Sequence, residues 1–376
     1  MPSPPSPALG PNTLWLDSLS PWPKHFGLER MLGLLDELGH PERGFRSIHV
    51  VGTNGKTTTT KRIEALLLAE AVGTGATISP HIRGWAERIT VNGEEADLER
   101  ALGRVRPAAE RLGATQFEVV TAAAFSEFAV ASVEVAAVEA GLGGRYDATN
   151  VIQSEVVVLT NVALEHTQWL GSTREAIARE KLAVIARGAT AVLGEGEWDG
   201  LALEAGAGEV VVVSQEKLPR TAVEILLGRA VRAEDPEVLV PGRLEWRGER
   251  ELWDGAHNPA GIAWLVAHLP EATRPVEARW TIVCSILGDK DVEAMLDTLA
   301  PLGRRLIATS SSSPRALPAG ELAKRAERFF ERVEEVEDPA LALARGRRLA
   351  ETDGYLLVTG SLYLLADLAS EEEATS

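Results

Sequence analysis

The chain has 376 residues, 45 % hydrophobic and 25 % charged, the balance of a soluble globular protein with room for two domains. Its formal charge of −17 argues against nucleic acid as a partner, because a phosphate backbone needs clustered lysine and arginine. The single cysteine, Cys284, excludes an internal disulfide and a cysteine-built zinc site, and no apolar run reaches the ~18 residues of a membrane span.

The opening MPSPPSPALGPN is rich in proline and serine and lacks the charged start and apolar core of a signal peptide. Residues 1–13 read as a disordered arm, and the cysteine usage points to the cytoplasm. SIHVV then reads as a strand and KTTTTKRIEALLLAEA as a helix. QFEVVTAAAFSEFAVAS and STREAIAREKLAVIA are helical candidates around VEVAAVEA and EVVVLT. Those two near-continuous apolar runs are what parallel strands covered on both faces require. The alternation predicts an α/β domain around a mainly parallel sheet. A second alternation follows, with RELWD, RWTIVCSI, RRLIATS and GYLLVTG as strands. The turn-rich VLVPGRLEWRGER separates the two, so the expected domains are 14–246 and 247–376. No internal repeat of fixed period is present.

The chemistry begins at HVVGTNGKTTTTK, from His49 to Lys61. A phosphate loop of the commonest kind reads G-x-x-x-x-G-K-[ST]. Gly55-Lys56-Thr57 supplies its second half, but Val50 stands where the first glycine would be, and the shorter loop starts at Gly52. Small residues still let backbone N–H groups turn inward, a helix N-terminus adds its positive end, and Lys56 adds a full charge. A threonine hydroxyl after the lysine can ligate Mg²⁺. An ordinary strand–turn–helix connection would explain the residues less well than their place between an apolar strand and a long helix.

GTNGKTTT resembles the short loop of the Mur ligase superfamily. FGLERMLGLLDELGHP, SPHIRGWAERITVNGE, VEAGLGGRYDATN, LTNVALEHTQWLGST, IAREKLAVI, PGRLE, DGAHNP and VTGSLYL narrow the resemblance to the folylpolyglutamate synthase and dihydrofolate synthase branch. They follow in that family's order from about residue 14 to 368. Departures are Thr57 where the branch usually has glycine and Glu165 where it has aspartate. Arg220 and Thr221 lie where an adenine-contacting asparagine is usual, and the stretch from 186 to 240 is shorter.

The resemblance implies a Mur-type P-loop ATPase domain followed by a smaller Rossmann-like domain. It also implies amide formation between a pteroate or folate carboxylate and L-glutamate through an acyl phosphate. ATP would be held by Gly52, Thr53, Asn54, Gly55, Lys56, Thr57 and Thr58, with Arg243 toward phosphate and Asp254 toward ribose. Ser79, Glu139 and His166 would ligate Mg²⁺ with Thr58 or Thr57. Lys181 would be carbamylated by CO₂ to ligate a second Mg²⁺. Lys56, Lys181 and His257 would be catalytic, and His257 and Ser361 would bind glutamate. The pterin would meet Phe26, Phe117, Tyr146, Asp147 and Ala148. A monomer with no nucleic-acid or membrane partner is expected, and the acceptor is dihydropteroate, a reduced folate or both.

Plainer readings stand beside these. Glu139 is also a strand-end residue, His166 a loop residue and His257 a helix-start residue. Lys181, beside Arg179 and Glu180, reads as part of a solvated helix face, and GDKD (288–291) as a helix cap without a catalytic role. Thr57 suits a muramyl-peptide ligase, but the uridine-nucleotide domain of such an enzyme would need far more than 50 residues before the loop. A P-loop ATPase without ligation would leave DGAHNP and GSLY unexplained.

Overall fold

The computed structural model describes residues 10–23, 25–269 and 280–375. Its strands are β1 Arg46–Val51, β2 Thr74–Thr77, β3 Ile89–Val91, β4 Glu94–Glu95, β5 Val135–Glu139, β6 Val156–Leu159, β7 Thr190–Leu193 and β8 Glu209–Val212. They continue with β9 Glu245–Arg247, β10 Glu251–Trp253, β11 Trp280–Cys284, β12 Arg305–Ala308, β13 Arg332–Glu335 and β14 Tyr355–Thr359. Among the described residues the first eight form one sheet, ordered β4-β3-β2-β5-β1-β6-β7-β8. All of its pairings are parallel except the short antiparallel edge β2-β3-β4. The last six form a second sheet, β13-β12-β11-β14-β10-β9, parallel except for β9. The architecture is therefore the expected one.

The apolar runs are legible as the inner strands. Every residue of β5 and β6 is buried, as strands covered on both faces must be. The helix Lys56–Ala69 starts from Gly55 in the left-handed region and buries Ile63, Leu66 and Leu67 in the core with Ile48 and Val50 of β1. The helix Gln116–Val130 opens with a reciprocal cap between Thr115 and Glu118 and is buried over most of its surface. In register, Val50 lies beside Glu139 and Val51 beside Leu159. The carboxyl ends of β1, β5 and β6 thus open at one edge of the sheet, where α/β proteins bind ligands.

The described residues fall into two compact units, one ending at Val238 and the other beginning at Leu239. The boundary expected at 246/247 falls inside β9, which pairs with β10 and so belongs to the second unit. The expected arm is also shorter than read. Residues 1–9 lie outside the described residues, but Pro11–Ser18 is a helix pinned by Glu99, which accepts the N–H groups of Asn12 and Thr13 and the Thr13 hydroxyl. In the second unit Leu252, Ile282, Cys284, Leu306 and Leu357 build the core. Burial pushes the Cys284 thiol up to about 12, which makes it a packing residue. Asp291 caps the helix Val292–Leu299, accepting the Ala294 N–H at 3.1 Å, in line with the cap reading of GDKD. No helix among the described residues is long and apolar enough to cross a membrane.

Candidate active site

The loop that leaves β1 is held from beneath by the segment that leaves β6. The Asn161 carbonyl accepts the Thr53 N–H at 2.9 Å, and its side-chain oxygen accepts the Asn54 N–H at 3.0 Å. The Thr160 hydroxyl donates to the Asn54 carbonyl at 2.7 Å. Gly52 has φ 151°, and a Cβ there would lie 1.8 Å from Thr160 Oγ1, so only glycine permits this approach. The loop's conformation is thereby set before any ligand arrives.

Two lysines converge on this loop. Lys56 Nζ donates to the Thr53 carbonyl at 3.3 Å, and Lys181 Nζ donates to the Gly52 carbonyl at 2.7 Å. Lys181 is only 5 % exposed, so the solvated-face reading is wrong. Its helix, Arg174–Leu182, comes close because of Gly144, where a Cβ would meet the Glu180 carbonyl at 2.5 Å. Burial, then the charge of Lys56, pushes the Lys181 amine down to about 7; Glu165, Asp147 and Glu180 oppose that shift. The neutral amine is therefore far more populated at neutral pH than that of an exposed lysine.

Glu139 ends β5 with its carboxylate buried beside the loop. One oxygen accepts the Thr57 hydroxyl at 3.0 Å and the other the Ser79 N–H at 3.1 Å. Thr58 is half-buried on the same first helical turn. His166 precedes the helix Thr167–Leu170 in the left-handed region (φ 49°), its Nε2 3.8 Å from Glu165 Oε1. No group of three or more His, Cys, Asp or Glu suited to a metal occurs among the described residues. One carboxylate, hydroxyls and a phosphate loop nevertheless suit a hard cation that takes the rest of its oxygen ligands from phosphate.

The residues expected around a pterin divide into two groups. Phe26 is 40 % exposed and its ring lies 5.2 Å from that of Trp169; Tyr146 is also exposed, and Phe117 lies over Gly141. Asp147 and Ala148 are buried, and Asp147 accepts the Leu142 N–H and both the N–H and hydroxyl of Thr149. Burial raises the Asp147 pKa against the pull of these donors.

In the second unit Asp254 is buried, accepting the Leu244 N–H at 2.8 Å and the Ala256 N–H at 2.9 Å. Burial raises its pKa, and the Arg243 charge counters that. Arg243 donates to the Gly242 carbonyl at 2.9 Å. His257 Nδ1 lies 2.8 Å from the Gly255 carbonyl, just before Asn258 caps the helix Pro259–His268. Ser361, also buried, follows β14, and its hydroxyl accepts the Tyr363 N–H at 3.1 Å.

Residues 50–195 match the Mur ligase middle domain, and residues 242–362 match the Mur ligase glutamate ligase domain. A dihydrofolate synthase/folylpolyglutamate synthase of Mycobacterium tuberculosis is 33 % identical, with 80 % of this chain and 78 % of its own length covered. The chain belongs to the dihydrofolate synthase/folylpolyglutamate synthase family. It is an ATP-dependent ligase of the Mur type. The folylpolyglutamate synthase of M. tuberculosis complexed with ADP superposes with a TM-score of 0.87 at 30 % identity, over 95 % of this chain and 96 % of that one. A bifunctional folylpolyglutamate synthase/dihydrofolate synthase with Mn, AMPPNP and L-glutamate bound gives 0.82 at 27 % identity, over 99 % of this chain and 100 % of that one.

Lys56, Thr57, Ser79, Glu139 and Lys181 come together around the loop after β1. Thr160 and Asn161, which hold the loop, had no role assigned from sequence; polar residues directly after the apolar run EVVVL were the available signal. Trp169 and His49 were missed as well. A histidine inside the apolar SIHVV was a visible anomaly.

Proposed function

We propose that this synthase joins L-glutamate to the carboxylate of dihydropteroate, a reduced folate, or both, using ATP. The observation that carries the reading is the gathering of Lys56, Lys181, Thr57 and Glu139 at the loop after β1. The loop from Gly52 to Thr58 offers the backbone N–H groups that Asn161 does not hold, from Gly55 onward, and a helix N-terminus to the β- and γ-phosphates, and Lys56 swings from the Thr53 carbonyl to the transferring group. The acceptor carboxylate attacks the γ-phosphorus, ADP leaves, and an acyl phosphate remains. The glutamate amine then attacks the acyl carbon, phosphate leaves, and the amine gives up a proton. Mg²⁺ bound by Glu139, Ser79, His166 and the Thr57 or Thr58 hydroxyl would supply countercharge to the phosphates.

Lys181 reacts as its neutral amine with CO₂, forming a carbamate and releasing a proton, which replaces a cation with an anion able to hold a second Mg²⁺. Its buried amine at about 7 supports that reaction. Arg243 and Asp254 serve ATP, and His257 and Ser361 serve glutamate. Phe26, Phe117 and Tyr146 contact the pterin, with Asp147 and Ala148 on the turn behind them. The enzyme works as a cytoplasmic monomer.

Two measurements test these roles. Lys56→Ala should lower acceptor-dependent phosphate release by about 10²-fold or more; undiminished activity would falsify the phosphate role. ¹³C NMR after equilibration with ¹³CO₂ should show one carbamate resonance that disappears in Lys181→Ala. A wild-type spectrum without that resonance would remove the carbamate from the mechanism.

A further inference from the structure

β1 buries two polar side chains, Ser47, whose hydroxyl pairs with that of Ser154, and His49, which is fully buried. Its Nε2 lies 2.8 Å from Thr149 Oγ1. The Thr149 hydroxyl donates to Asp147 Oδ1 at 2.5 Å, and the Thr149 N–H reaches the same oxygen at 3.0 Å. Asp147 Oδ2 accepts the Leu142 N–H at 2.7 Å. Four groups thus form one chain from the middle of β1 to the turn that leaves β5.

Proton counting sets the direction of this chain. Each Asp147 oxygen accepts a backbone N–H, which favours the ionised carboxylate, so the single proton of the Thr149 hydroxyl is committed to it. Nε2 of His49 must therefore carry hydrogen and donate to Thr149, which leaves Nδ1 as the bare nitrogen. Nδ1 is buried with no hydrogen-bond partner, as that tautomer requires least of its surroundings. Burial also holds the ring neutral, pushing it down to about 3. A leucine would fill this interior position without an unpaired nitrogen, so packing does not explain the histidine.

The turn at the other end bears on the reaction. The Phe117 ring lies over Gly141, Leu170 packs against Gly143, and the backbone of Glu180 and Lys181 closes on Gly144. The turn is the common floor under Phe117 and the Lys181 helix. We propose that His49 is a positioning residue for the acceptor side of the site, holding the Gly141–Gly144 turn in place through Thr149 and Asp147. The substrate named here rests on the pteroate or folate reading above.

The test uses the full chain with His49→Leu, Thr149→Val and Thr149→Ser. His49→Leu and Thr149→Val should each raise the acceptor KM about tenfold and leave the ATP KM within about twofold. Thr149→Ser, which keeps the hydroxyl, should behave as the parent, and the double variant should be no worse than either single one. An unchanged acceptor KM in both disruptive variants, or an ATP KM that rises in step, would overturn the proposal. If His49→Leu does not fold, the contrast between Thr149→Val and Thr149→Ser decides. ¹⁵N NMR of the histidine ring gives a readout independent of substrate. A neutral His49 carrying hydrogen on Nε2 from pH 5.5 to 8 supports the relay. An Nδ1–H tautomer or a charged ring refutes it, even if the protein turns over neither acceptor.

Discussion

Lys181 and His49 are both buried titratable residues, and the same desolvation gives them opposite uses. Lys181 sits near 7, poised between charge states beside Lys56, whereas His49 sits near 3 and never takes up a proton in the working range. The depressed value of His49 makes a statement about stability. Above the unfolded value of 6.5 neither state is protonated and its contribution is fully present. Below it the unfolded chain binds a proton that the folded chain refuses, so stability falls as pH falls, by about 1 kcal/mol from pH 6.5 to 5.5, the slope approaching about 1.4 kcal/mol per unit at lower pH. Urea midpoints at pH 7.5, 6.5 and 5.5 should show this slope, and His49→Gln should flatten it by about that amount. An identical slope in the variant would mean that His49 is not held neutral. Neither residue's burial was legible from composition. The stretch Arg179-Glu180-Lys181 looks polar all round, and nothing local announces that Gly144, far away in sequence, lets its backbone approach.

At the scale of elements, legibility followed chain length and burial. The long apolar runs of β5 and β6 and the helix after the loop stand out, because burial on both faces demands apolar residues throughout. β3 and β4 do not, being three residues or fewer at a sheet edge, and β2, although buried, is Thr-Gly-Ala-Thr and carries no apolar run. The helix Gln116–Val130 lacks an amphipathic period because it is buried nearly all round, and its length and cap identify it instead. That cap depends on Glu118, which accepts the Thr115 N–H at 2.8 Å and holds Arg30 at 3.0 Å. Glu118→Ala should destabilise the first unit by about 2–4 kcal/mol, since it removes a capping box and leaves Arg30 without its carboxylate. Glu118→Gln, which keeps an acceptor for the cap, should cost less. A loss under about 1 kcal/mol for alanine would show that the pair contributes little. Because Phe117 is the neighbouring residue, the alanine variant should also weaken acceptor binding.

At the scale of the molecule, the order of strands explains why residues distant in sequence share one site. β5 and β6 flank β1 in parallel, so the segments leaving their carboxyl ends bring Gly52, Glu139 and Thr160 together. The motifs GTNGKTTT, VEAGLGG and LTNV were therefore legible as parts of a site, while their mutual hydrogen bonds were not, being set by register. Phosphate release from ATP tests the central claim most directly. The assay contains Mg²⁺ and L-glutamate, with dihydropteroate or tetrahydrofolate added separately. The ligase assignment predicts release that needs both glutamate and at least one of these acceptors. Release with neither acceptor, from folded protein that binds ATP, or release indifferent to glutamate, would contradict it.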